Sequence, residues 1–109
     1  MTKVKNGITV YNIEGNGCLN GVYINEHANG TVVNEILRKD TQDISKIDGT
    51  YTFHYFDENN DSYVGTAIIS ESHNVYDISW QVNTDSKPRF YGKGYRIGEK
   101  QLIFSYWSA

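Results

Sequence analysis

One cysteine, one proline and no apolar run of membrane-spanning length mark this 109-residue chain, and each scarcity removes a class of protein. A lone Cys18 closes no intrachain disulfide, which suits a reducing compartment and makes the cytoplasm the expected location unless a leader has been removed. The single Pro88 sits where a strand can begin without a backbone donor. No uncharged stretch approaches the roughly twenty apolar residues a bilayer span needs, and the start MTKVKNG lacks the apolar core of a signal peptide. Basic surplus is absent too. Ten Lys and Arg stand against thirteen Asp and Glu, for a net charge of −3, and the basic residues are scattered singly or in pairs. Without a basic stripe to neutralise a phosphate backbone, nucleic acid is excluded as the expected partner, and so is a membrane.

What the chain has instead is tyrosine and glycine, nine and ten of them. Tyrosine fits pleated, half-buried surfaces and glycine supplies tight turns, so the pair points to β structure. A hydrophobic fraction of 39% with 21% charged residues is ordinary for a folded protein, and the length suits one domain over residues 1–109.

Eight candidate strands follow one another. GITVYNI opens, with Ile8, Val10 and Tyr11 as its apolar marks, and gives way to a glycine-rich break at Gly15, Gly17 and Gly21. GVYIN (21–25) is next, then the turn signal Asn29-Gly30. TVVNEILRK follows, whose Val32, Val33, Ile36 and Leu37 fit a helix period as well as a strand, with β-branched residues favouring the strand. A polar linker, DTQDISKIDG, leads to GTYTFHYF, in which Tyr51, Phe53 and Tyr55 share a face. SYVGTAIIS places Gly65 and Ala67 together. NVYDISWQV sets Tyr76, Ile78, Trp80 and Val82 against Asp77, Ser79 and Gln81. RFYGKGYRI and KQLIFSYW complete the series. Short connections allow only neighbouring antiparallel pairing, and closing such a meander removes its exposed edges. The fold expected is all-β, an eight-stranded antiparallel up-and-down barrel, wide enough for side chains or one small ligand.

The chemical signatures are thin. GNGCLNG runs into β-patterned GVYIN rather than a helix, so it is no phosphate loop. Asp57, Asn59 and Asp61 match half of a calcium loop, but Ser62 and Ile68 stand where its Gly and Glu belong. His27, His54 and His73 lack ligand spacing, although dispersed histidines could converge in space. No metal and no cofactor is therefore expected. Glu35 and Asp77 are the strand-borne acids, and Asp77 lies opposite Trp80, towards solvent. No nucleophile and base pair can be named, which ranks an enzyme last.

In order, GVYIN, GTY, the strand Tyr76 to Trp80 and FYGKGY resemble the avidin and streptavidin group of calycin barrels, over roughly Gly21 to Tyr95. That resemblance implies a ligand site at one open barrel end. It implies that Asn25 matches an Asn bonding the biotin ureido group, Tyr51 a pocket Tyr, Trp80 a wall Trp, and Phe90 a second wall position. The sequence departs from the pattern in four ways. Phe53 replaces a small hydroxyl residue, Pro88 lies near another hydroxyl ligand, and GITVYNI is an extra strand at the front, while no final strand supplies the family's Asp. Missing polar partners argue against biotin itself.

The expected function is non-enzymatic binding of a small organic ligand by Asn25, Tyr51, Tyr76, Trp80 and Phe90, with Tyr23, Phe104 and Tyr106 as further lining or as core. The alternative is a protein-interaction module or inhibitor on a closed barrel with a filled core. Outward Tyr91, Tyr95 and Trp107 suit a second copy as partner.

Overall fold

A computed structural model describes residues 3–27, 33–40, 45–57 and 59–109. Its strands are β1 (Gly7–Ile13), β2 (Cys18–Asn25), β3 (Val33–Lys39), β4 (Gly49–Phe56), β5 (Ser62–Ser72), β6 (Val75–Val82), β7 (Phe90–Ile97) and β8 (Gln101–Ser108). Each pairs antiparallel with its sequence neighbour, and β1 also pairs with β8, so the sheet closes into a barrel in the up-and-down order expected. The strand that the avidin-like pattern lacks is thus the one that closes the cylinder. The Asn29-Gly30 turn signal, Val32 and part of the polar linker lie outside the described residues.

Alternation decides which side chains fill the interior. Tyr51, Phe53 and Tyr55 point inward from β4, and Tyr76, Ile78, Trp80 and Val82 from β6, all buried. Leu102, Phe104 and Tyr106 do the same from β8. Leu37 and Glu35 point inward from β3.

β1 is a strand as expected, with Ile8 and Val10 facing outward and Gly7, Thr9 and Tyr11 facing inward. The reason is space: a Cβ on Gly7 would fall 2.2 Å from the Tyr106 ring, so the inner positions opposite these large rings are small. The glycine-rich break is shorter than the sequence suggests. The turn closes between Glu14 and Cys18, with Gly17 at φ 83°, and Gly21 lies inside β2. There a Cβ would sit 2.5 Å from the Tyr11 ring, so glycine is what lets that ring lie flat against the strand.

The two barrel ends differ. One is where odd strands begin and even strands finish, and the other is where odd strands finish and even strands begin. At the second end Tyr51 donates its hydroxyl to the Ile47 carbonyl at 2.5 Å, and the Lys39 ammonium lies 5.9 Å from the Tyr51 ring centre. Below these residues Phe53, Leu37, Leu102 and Phe104 are fully buried. The interior is packed from that end to the middle.

Candidate ligand site

Among the described residues the first end is open. A cavity of about 430 Å³ enters it, within the size range of small-molecule sites. Its walls come from the late inward residues of even strands and the early ones of odd strands. Tyr23 comes from β2, Tyr55 from β4, Tyr63 from β5, Trp80 from β6, Phe90 from β7 and Tyr106 from β8. The rings touch in sequence round the wall. Tyr63 stacks on Tyr55 at 4.8 Å, Tyr55 meets Tyr23 edge-on at 6.0 Å, and Tyr23 meets Tyr106 at 6.3 Å. Tyr106 in turn meets Trp80 at 5.7 Å and Phe90 at 5.8 Å, both edge-on, with interplanar angles of 64° and 90°. Such contacts hold each ring in one orientation and present faces or edges to the space between them.

A polar chain forms the floor. The Trp80 indole N–H donates to the Tyr11 hydroxyl at 3.3 Å, and that hydroxyl donates to Oε2 of Glu35. Burial dominates the chemistry here. Glu35 is 7% exposed and belongs to the cavity lining, and loss of water raises its carboxyl from 4.5 to about 7, even though the bonds from Tyr11 and Trp80 favour the charged form. Burial also lifts Tyr11 well above its ordinary value, with the Glu35 charge pushing the same way. Tyr55 is pushed up to about 12 by burial, and Tyr106 rises for the same reason. The floor therefore holds one acid that titrates near neutrality beneath phenols that stay neutral. Thr9, 2% exposed, lies beside it in the lining.

The rim carries the charges. Arg89 makes a two-point contact with Asp85, Nε to Oδ2 at 2.9 Å and Nη2 to Oδ1 at 3.1 Å, and its guanidinium lies 5.5 Å from the Tyr63 ring centre. Asp57 accepts from the backbone N–H groups of Asn59 and Asp61 at 2.9 Å and from the Tyr63 hydroxyl at 3.2 Å. Its carboxylate thus organises the turn that resembles half of a calcium loop. His27 at the rim donates from Nε2 to the Lys3 carbonyl at 2.7 Å.

No protein-family model, no curated protein and no solved structure matches this chain.

Of the residues that the sequence nominates, the cavity gathers Asn25, Trp80 and Phe90. The Asn25 amide donates to the Tyr106 hydroxyl at 3.1 Å and accepts from the His27 backbone N–H at 2.9 Å, so it fixes Tyr106 and the start of the following turn. Tyr51 and Tyr76 are not brought to this cavity. Both lie near the beginning of even strands and therefore at the packed end, where burial pushes Tyr51 up to about 12. His54 and His73 lie on the outer face of β4 and in the β5–β6 turn, away from His27. Among the described residues no three His, Cys, Asp or Glu side chains gather as a metal site, and no helix is long and apolar enough to cross a membrane. Tyr55, Tyr63, Glu35 and Tyr11 are among the additions to the site. Inward-facing Leu37 gives the signal for Glu35, since a residue two positions away shares its face.

Proposed function

We propose that this chain is a non-enzymatic binding barrel of the calycin, streptavidin-like kind, which holds one small organic molecule in the cavity at its open end. The observation that carries this reading is a 430 Å³ cavity walled by six aromatic rings above a buried Glu35–Tyr11–Trp80 chain. Towards the other end Leu37, Phe53, Leu102 and Phe104 are fully buried, so the hollow is confined to one mouth among the described residues. Asn25, Trp80 and Phe90 meeting at one mouth agrees with the avidin-like resemblance, but fully buried Phe53 occupies the place of that family's small hydroxyl residue. Biotin is accordingly not the proposed ligand. The polar floor groups bond one another, and the one thiol, Cys18, starts β2 at the opposite end, which supports binding over catalysis.

Native mass spectrometry of the protein recovered from its own host tests this reading. The expected result is a co-purifying small molecule that is lost from a Trp80→Ala variant. Repeated recovery of the bare chain, or of the chain bound only to another protein, would contradict it.

One observation favours a second reading, a protein contact on the outside of the barrel. Register aligns Val75, Tyr95, Ile103, Val10 and Val22 in one outward row across β6, β7, β8, β1 and β2. Ile8 beside Ile24, and Tyr91 beside Trp107, widen it, and Tyr95 and Ile8 are 58% and 50% exposed. Among the described outward residues of these strands the charged ones are Lys93 and Asp77, paired at 3.5 Å. A second copy is the proposed occupant, because a face free of unpaired charge can meet itself despite the chain's net −3.

A further inference from the structure

The cavity's electrostatics select among small molecules. Aromatic faces attract cations, and the rim already shows this with the Arg89 guanidinium over Tyr63. Arg89 at the rim is bound by Asp85 at two points and also bonds the Tyr55 hydroxyl, so its charge is paired with a carboxylate and turned towards the rim. Among the described residues the ion pairs are Asp85–Arg89 and Asp77–Lys93, so Glu35 at the floor and Asp57 at the rim have no basic partner. A buried carboxyl beneath electron-rich rings is short of one positive charge.

Building on the ligand-binding reading, we propose that the cavity takes an organic ammonium ion, its charged end against Glu35 and its apolar body between Trp80, Tyr55, Phe90 and Tyr106. Binding converts the Glu35 carboxyl to carboxylate and releases its proton to solvent, while the amine arrives and stays protonated. Tyr11 from β1 donates its O–H to the carboxylate, and Trp80 from β6 holds that hydroxyl in place by donating its N–H to it. The titratable groups that face Glu35 are Tyr11, Tyr55 from β4 and Tyr106 from β8, all raised and therefore neutral through pH 8. His27, Asp57 and Arg89 lie at the rim.

Three probes of one shape and different charge test this: phenethylammonium, 2-phenylethanol and phenylacetate, each titrated calorimetrically into the whole chain at pH 6 and pH 8. Phenethylammonium is expected to bind tightest, and about tenfold more tightly at pH 8 than at pH 6, because a carboxyl raised to about 7 goes from mostly protonated to mostly ionised over that interval. Glu35→Gln is expected to remove both the preference for the cation and the pH dependence. Equal or tighter binding of the alcohol or the carboxylate would overturn the proposal and leave the cavity as a ligand site. A pH profile that survives in Glu35→Gln would assign it to the rim and overturn the proposal equally, and the wild-type charge series decides the matter if that variant does not fold. Binding of none of the three would take the ligand-binding reading down with it.

Discussion

Replacing Glu35 by glutamine changes how stability depends on pH, and the structure fixes the sign and size of the change. The Glu35 carboxyl sits at about 7 in the folded protein against an ordinary 4.5, so between those values the folded state holds a proton that the unfolded state has released. Stability contributed by this group is therefore greatest below pH 4.5, falls as pH rises, and reaches its full loss above pH 7. At about 1.4 kcal/mol for each pH unit of that gap, the loss amounts to about 3 kcal/mol. Glutamine keeps the shape and can still accept from Tyr11, but it has no proton to lose. Urea unfolding of both proteins from pH 4.5 to pH 8.5 should show the variant gaining on the wild type by about 3 kcal/mol across the range, on the order of 10 °C in Tm. Groups common to both proteins cancel in the difference. A difference that is flat with pH would mean that Glu35 is hydrated and ordinary, and would refute the description of the cavity floor.

Other perturbations separate the packed end from the outer surface. Phe104 is fully buried between Tyr11 and Trp80, so Phe104→Ala should cost about 3–5 kcal/mol in chemical denaturation, whereas Phe56→Ala, at an exposed outward site, should change stability by less than about 0.5 kcal/mol. Gly21→Ala should cost about 1–3 kcal/mol, because the new Cβ would meet both the Tyr11 ring and the Val10 carbonyl at 2.5 Å. If the outer row is a contact between copies, sedimentation velocity should show the wild type associating and Tyr95→Lys monomeric at unchanged Tm; a monomeric wild type at high concentration would contradict that reading.

Strand identity, order and closure were all legible in the sequence, because alternation in GTYTFHYF and NVYDISWQV repeats at the period of a sheet with one buried face. What alternation cannot fix is height along the barrel axis. Tyr51 and Tyr55 share a face, yet only Tyr55, at the far end of β4, reaches the cavity. Combining alternation with the up-and-down order recovers this: ends of even strands and starts of odd ones meet at one mouth, which groups Asn25, Tyr55, Trp80, Phe90 and Tyr106 and sends Tyr51 and Tyr76 the other way. Glu35 was obscured differently. TVVNEILRK fits a helical period too, and only the strand assignment puts Glu35 on the inner face with Leu37. On β1 the apolar Ile8 and Val10 face outward while Tyr11 faces inward, and Gly7 leaves room for the Tyr106 ring.

The chain's two tryptophans provide the most direct test of a ligand site at the open end, since Trp80 is 4% exposed in the cavity wall and Trp107 is 39% exposed on the outer face. In ¹H–¹⁵N spectra recorded while phenethylammonium, 2-phenylethanol and phenylacetate are added in turn at pH 8, at least one probe should move the Trp80 indole N–H signal and leave that of Trp107 in place. Movement of Trp107 alone, or of neither signal with any probe, would contradict the account.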